Sequence, residues 1–304
     1  SQTPLTALRL AELALEAGIP AGVFNVVPGA GSVAGEALLR HPLVRKVSFT
    51  GSTEVGTQVM KLAADDIKNV TLELGGKSAN LVFADADLEK AVPKAMWSVL
   101  GNAGQDCCAR SRLLLERPLY EEFLYRLSNE FKQLNLGYPL KDETEIGSLV
   151  SLAHRDRVRE YIEIGKQEGA TLVCGGDIPS QDDLKNGAYL QPTLFADVKP
   201  DMQIATEEIF GPVLCAIPFD TDEEAIAIAN NSLYGLSGSV WTQDISRALR
   251  VAKAIETGVI SINTGHSVHL EAPFGGVKRS GIGRELGLAV LDHYSELKSV
   301  FIAE

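Results

Sequence analysis

Apolar residues recur along this chain in short runs bounded by glycine, proline and small polar residues. Their spacing switches repeatedly between the helical period of 3.6 and the strand period of 2. Residues 4–17 predict a helix with Thr3 as N-cap and Pro4 at the first helical position, stopped by Gly18 and Pro20. Residues 23–27 predict a short strand, 29–39 a glycine-led helix, 45–49 a strand, 53–64 a helix and 70–74 a third strand. Beyond Gly75-Gly76 the alternation resumes, with strands over 80–83 and 112–115 and helices over 87–100, 120–134 and 153–168. Strands over 172–173, 213–218 and 259–262 and helices over 222–230 and 245–255 come after these. Such alternation at short intervals predicts parallel βαβ units and an α/β fold. The last apolar run, residues 297–302, reads as a terminal strand, which has to pair with something.

Composition narrows the class. The chain has 304 residues, 45% hydrophobic and 22% charged, an ordinary globular balance with room for two domains. A net charge of -12 argues against a nucleic-acid or anionic-membrane surface, and no apolar run is long enough to span a bilayer. The four cysteines are Cys107, Cys108, Cys174 and Cys215. Without a C-x-x-C pair they make a poor disulfide framework and a poor zinc site, so no metal is expected. Reduced thiols fit a cytoplasmic protein, in which a single cysteine can serve as a nucleophile.

Two glycine loops sit where strands give way to helices. Gly29-Ala30-Gly31-Ser32-Val33-Ala34-Gly35 approximates a G-x-G-x-x-G dinucleotide fingerprint, one residue too long at its last spacing. On its own it reads more simply as a tight turn. Phe49-Thr50-Gly51-Ser52-Thr53-Glu54 offers either a phosphate site at Gly51 and Ser52, on the free N–H groups of a new helix, or an ordinary N-cap.

Two segments carry reactive chemistry. Gly104-Gln105-Asp106-Cys107 comes after a helix and reads as a loop that exposes Cys107; its thiol needs a base to become the attacking thiolate. Cys174 and Cys215 lie in apolar runs and read as core, and the side chain of Cys108 is expected to point away from that of Cys107. In Val70-Thr71-Leu72-Glu73-Leu74 strand alternation turns Thr71 and Glu73 to one face. A carboxylate set among apolar groups acquires a raised pKa suited to proton transfer near neutrality.

Taken together, Phe49 to Thr53, Leu72 to Lys77, Gly104 to Cys107, Glu207 to Pro212, Pro273 to Lys278 and Ser280 to Glu285 resemble the aldehyde dehydrogenase superfamily. The segments stand in that family's order across almost the whole chain. The resemblance implies the C-terminal part of a Rossmann-like cofactor domain (residues 1–75), an α/β catalytic domain with a parallel sheet (76–275) and a C-terminal segment with an oligomerisation strand (276–304). It implies Cys107 as the nucleophile, with its own backbone N–H as one oxyanion donor, and Glu73 as the base that activates the deacylating water. Glu285 matches a second carboxylate that relays protons, although a helix-start glutamate explains it equally well. Cofactor contacts are implied for Ser1, Gly31, Gly51, Ser52, Leu74, Glu208 and Phe210. Ser1 stands where many members carry a glutamate that repels a 2′-phosphate, so NADP as well as NAD is expected.

The nearest sub-resemblance is to succinate-semialdehyde dehydrogenases, yet Gly101 stands where those enzymes carry an arginine that pairs with the substrate carboxylate. The His266-Ser267-Val268-His269 loop departs from them too. A neutral aldehyde is therefore expected, with a homo-oligomer as the assembled form. The resemblance also implies an upstream segment holding a further oxyanion donor, so these residues alone are expected to be weakly active or inactive. The alternative is a non-catalytic homologue that binds nucleotide or a full-length partner.

Overall fold

The computed structural model describes residues 2–303. In chain order the elements are α1 (Leu5–Glu16), α2 (Glu36–Arg40), β1 (Lys46–Thr50), α3 (Thr53–Ala63), β2 (Asn69–Glu73), β3 (Ala79–Val82), α4 (Leu88–Leu100), β4 (Arg112–Glu116), α5 (Tyr120–Gln133) and α6 (Leu152–Gln167). They continue with β5 (Thr171–Cys174), β6 (Thr193–Ala196), α7 (Gln203–Thr206), β7 (Val213–Phe219), α8 (Asp222–Asn230), β8 (Tyr234–Gly235), β9 (Ser237–Trp241), α9 (Ile245–Ala254), β10 (Val259–Ile262), β11 (Val277–Lys278), β12 (Gly281–Ile282) and α10 (Val290–Tyr294). The chain divides into two compact units, one of residues 1–49 and 57–70, the other of residues 50–56 and 71–304. Among the described residues no helix is long and apolar enough to cross a membrane.

In the first unit, α1 begins at Leu5, one residue later than predicted. The Leu8 N–H bonds to the Pro4 carbonyl at 3.0 Å, so Pro4 is the N-cap and no side chain caps the helix. The chain leaves α1 through Gly18, whose φ of +88 is the left-handed turn expected there. Residues 23–27 form turns and coil, not the expected strand. Val23 and Val27 are 70% and 66% exposed, and among the described residues no strand lies beside them to complete a ladder.

The second unit is built on a seven-stranded sheet in the order β10-β9-β3-β4-β7-β6-β5. All neighbours are parallel except β5 and β6. The central strands read as continuous apolar runs because helices cover both faces. Leu81, Leu113, Leu114, Leu115, Phe195 and Ile217 are all buried in one core. Two of the sheet strands are not among those expected from the sequence. β6 is four residues long, and β9 reads Ser237-Gly238-Ser239-Val240-Trp241, small and polar but wholly buried. Cys215 is core as expected. Cys174 is only half-buried, because β5 is the antiparallel edge strand and its register slips between Leu172 and Cys174. Residues 297–302 are exposed coil, and among the described residues they pair with no strand.

Arg112 ties this sheet to its helices. It is buried, and its guanidinium donates to the Lys77, Ile228 and Ala229 carbonyls at 2.8, 2.9 and 2.8 Å. The last two belong to the C-terminal turn of α8, whose orphan carbonyls need donors.

Strand register brings three loops together. β3, β4 and β7 are adjacent and parallel, with Ala79 opposite Arg112 and Arg112 opposite Cys215. The loops that enter these three strands therefore gather at one edge of the sheet. They carry Gly75-Gly76, Cys107 and Glu208.

Packing in the middle of this sheet predicts a large cost for truncation. Leu114→Ala, at a position with 0% exposure, is expected to destabilise the protein by about 2–5 kcal/mol. A urea titration should show the lower midpoint. Leu140→Ala, at 82% exposure, should stay within about 0.5 kcal/mol of the parent.

Candidate active site

β2 ends at Glu73 and pairs antiparallel with β12, Gly281 opposite Glu73. Ser280, fully buried, fastens the next residues. Its carbonyl accepts from the Leu74 N–H at 2.8 Å, and its hydroxyl donates to the Gly75 carbonyl at 2.7 Å while accepting from the Gly235 N–H. The strand thus delivers Gly75 and Gly76 in a fixed pose, and the absence of side chains there is what the site uses. A Cβ on Gly75 would stand 2.3 Å from Glu208 Oε2, and one on Gly76 would stand 2.4 Å from the Cys107 carbonyl oxygen. The Gly76 N–H donates to Glu208 Oε1 at 3.0 Å.

The Cys107 loop leaves α4 through two residues in left-handed conformation, Asn102 (φ 53) and Ala103 (φ 55). Non-glycine residues held there cost about 1–3 kcal/mol each and persist only where surroundings impose them. Gly104 (φ +74) then passes so close to Gly211 that a Cβ would overlap its carbonyl. A turn closes from Asp106 to Ala109, with the Ala109 N–H on the Asp106 carbonyl at 3.1 Å. This turn corrects the expected orientation of Cys108. Its thiol hydrogen-bonds that of Cys107, and the Asp106 carboxylate and both sulfurs lie within 4.8 Å of one another. The turn folds all three side chains to one side. The hydrogen bond to Cys108, then burial, holds the Cys107 thiol well above its usual range, while accepting that bond lowers Cys108. Cys107 at rest is a thiol that needs a base.

Cys107 and Glu73 open into one cleft of about 450 Å³, lined also by Gly51, Ser52, Leu74, Gly75, Asp106, His154, Arg157, Glu208 and Phe210. Burial and the nearby Glu285 carboxylate raise Glu73 to about 7, against a smaller lowering by Arg284. Its Oε2 is buried without a hydrogen-bond partner, so that oxygen is open to a proton or a water. Glu208 is also raised, chiefly by burial, with the Gly76 N–H opposing. Phe210 has φ 57, and its carbonyl is 2.7 Å from His154 Nε2.

Most of the predicted residues meet here: Cys107, Glu73, Gly51, Ser52, Leu74, Glu208 and Phe210 line the cleft. Ser52 opens α3, and its hydroxyl accepts from the Val55 N–H at 3.3 Å. Glu285 stands behind Glu73, accepting from the Thr71 hydroxyl at 2.9 Å. It is not a helix-start residue. It exchanges both backbone bonds with Phe274 at 2.7 Å, flanked by Gly283 (φ +88) and Gly287 (φ +56), and α10 begins only at Val290. Gly31 belongs to the first unit, where it opens the exposed π-helical turn Gly31–Gly35. Ser1 lies outside the described residues.

Sequence reasoning missed four residues. His154 and Arg157 line the cleft from α6, three positions apart; a polar pair at that spacing on one helix face was the available signal. Arg284 faces Glu73. Arg110 is buried directly behind the thiol pair without a carboxylate partner. It donates to the hydroxyls of Ser239 and Ser267 at 2.7 Å each, and more weakly to the Cys108 and Gly238 carbonyls and the Ser261 hydroxyl.

Known proteins share this arrangement of sequence and fold. The family model described as aldehyde dehydrogenase family matches residues 1–300. The chain is 50% identical over 300 residues to a betaine aldehyde dehydrogenase of Rhizobium leguminosarum bv. trifolii, covering 99% of this chain and 61% of that protein. Among solved structures, an NAD-dependent aldehyde dehydrogenase from Sinorhizobium meliloti superposes with a TM-score of 0.96 at 46% identity, covering 99% of this chain and 59% of that one. A betaine aldehyde dehydrogenase from Staphylococcus aureus in complex with NAD+ gives 0.94 at 43% identity, covering 97% and 59%. The chain thus spans about three fifths of the length of these relatives.

The neighbours of Glu73 fix how it should titrate. Its pKa lies above the ordinary 4.5, so folding favours the protonated form. The stability this gives is complete below 4.5 and is lost as the pH rises through about 7. Titration of carboxyl-labelled glutamate by carbon NMR should show a midpoint near 7. Glu285→Gln removes a negative neighbour and should lower that midpoint; Arg284→Met removes a positive one and should raise it.

Proposed function

The chain belongs to the aldehyde dehydrogenase family, and from that membership we propose that the protein oxidises an aldehyde to a carboxylic acid through a covalent intermediate on Cys107, with NAD or NADP. The observation that carries this reading is the sharing of one cleft by a half-buried thiol and a carboxylate raised to about 7.

The cleft suits a nicotinamide dinucleotide. Gly51 and Ser52 present the start of an eleven-residue helix, where free N–H groups favour phosphate. Glu208, held over Gly75 and Gly76, presents a carboxylate able to take ribose hydroxyls, beside the half-exposed ring of Phe210. Gly31 and Ser1 are proposed at the adenosine end, where a serine leaves room for a 2′-phosphate. When bound, the dinucleotide supplies the acceptor for the hydride that leaves the substrate carbon.

The protein's own residues carry the other steps. Cys107 passes its proton to water in the cleft and its sulfur bonds the carbonyl carbon, the carbon–oxygen π pair moving onto oxygen beside the Cys107 N–H. Loss of hydride leaves a thioester on Cys107. Glu73 then takes a proton from water; the oxygen bonds the acyl carbon and the carbon–sulfur bond breaks, releasing acid and restoring the thiolate. A proton taken by Glu73 has Glu285 and Thr71 behind it as an onward route.

The substrate is an uncharged aliphatic or aromatic aldehyde. Gly101 supports this, since even a Cβ added there would meet nothing within 4 Å and no cation stands at that position. The functional form is a homo-oligomer that uses residues 297–302 as a pairing strand. The organisation is a cofactor domain to residue 75, a catalytic domain to 275 and a terminal segment.

With such aldehydes and both dinucleotides, growth of the reduced-nicotinamide absorbance should report turnover, and Cys107→Ser should abolish it. Steady-state turnover limited by deacylation should rise as the pH passes through about 7, where Glu73 ionises. Glu73→Gln should lose this rise and about 10²–10⁴-fold in steady-state rate while keeping a first-turnover burst. Full activity in Cys107→Ser would refute the proposal.

A further inference from the structure

The Cys107 turn also carries a ligand set of which the dehydrogenase reading uses only Cys107. Asp106, Cys107 and Cys108 place a carboxylate oxygen and two sulfurs within 4.8 Å of one another. Zinc and cadmium bind tetrahedrally to such donors; at a Zn–S bond of about 2.3 Å, neighbouring ligand atoms sit about 3.8 Å apart. The three side chains need move by only about an ångström to reach that geometry. They are also held in place. The Cys108 N–H donates to Asp106 Oδ1 at 2.8 Å, which fixes the carboxylate beside the sulfurs. Cys107 and Asp106 face the cleft, so an ion can enter and keep a water as its fourth ligand.

The charges around the turn are compatible with such an ion. Two thiolates and a carboxylate carry three negative charges. Arg110, buried and satisfied only by neutral acceptors, donates at 3.2 Å to the Cys108 carbonyl. A divalent ion and this guanidinium, which already faces Asp106 and Cys108, together balance the charge of the ligand set.

We propose that Asp106, Cys107 and Cys108 form a site for a thiophilic divalent cation such as zinc or cadmium, which masks Cys107 when bound. Binding exchanges two S–H bonds for two metal–sulfur bonds and releases two protons, and the carboxylate joins already ionised. Nothing is oxidised or reduced. The binding stands on geometry alone, whereas its effect on turnover rests on the role proposed for Cys107.

Cadmium ion is the probe. Titrated into the full chain without aldehyde or dinucleotide, it should produce a thiolate-to-cadmium charge-transfer band that saturates at one equivalent, with two protons released per ion. Cys108→Ser should roughly halve the band. It and Asp106→Asn, an exposed position that leaves packing intact, should each weaken affinity at least as much as the ~10–100-fold cost of losing an outer-shell partner. No band at one equivalent, a band unchanged in both variants, or a band that persists in the Cys107→Ser, Cys108→Ser double variant would overturn the site. Loss of the dehydrogenase reading would show differently, as turnover that survives Cys107→Ser with the cadmium band intact in the parent.

Discussion

Two backbone approaches hold the site together, and both depend on atoms that are missing from Gly75 and Gly76. The Glu208 carboxylate lies against the first and the Cys107 carbonyl against the second, each closer than any Cβ would permit. A side chain at either position would push the Glu208 carboxylate or the Cys107 loop off the end of β2. Ser280 supplies the complementary restraint, fastening Leu74 and Gly75 so that the two glycines cannot drift. The Glu208 side and the thiol side of the cleft are thus registered to one another through two adjacent glycines.

Around this backbone the unit has gathered charges that water does not solvate. Glu73 Oε2 and Lys77 Nζ are both buried without a hydrogen-bond partner, and burial pushes Lys77 down to about 8 while it pushes Glu73 up to about 7. Arg110 and Arg112 are buried too, but their donors are satisfied by carbonyls and hydroxyls. The arginines are therefore structural fasteners, one for the thiol turn and one for the end of α8. The Glu73 carboxylate, with an oxygen left open on the cleft, is free to exchange a proton there. Burial with a missing partner sets Glu73 and Lys77 apart from the two fastened arginines.

The alternation of runs made the α/β class legible, because central strands such as Leu113-Leu114-Leu115 announce their burial directly. β9 gave no such signal. Its Ser237, Gly238 and Ser239 are buried for packing against neighbouring strands and for hydrogen-bonding Arg110, and small polar residues carry no hydrophobic period. The run at 23–27 failed in the opposite way, since an apolar pattern forms a strand only beside a partner. At the site, motif residues were legible because chemistry restricts them. His154, Arg157, Arg284 and Arg110 were not, because they arrive from distant elements and act through position. The location was also unusual. Ligands of open parallel sheets commonly lie at the carboxyl ends of strands, whereas here the loops entering β3, β4 and β7 carry the chemistry.

The central claim is that one sulfur forms and releases the acyl intermediate under the control of Glu73. Mass spectrometry of the Glu73→Gln variant, quenched in acid after one turnover with an aldehyde and dinucleotide, tests it most directly. The account predicts an acyl group of the substrate's mass, less one hydrogen, on the peptide that contains Cys107. An unmodified Cys107 peptide alongside stoichiometric reduced dinucleotide, or the acyl group on Cys108, would contradict it.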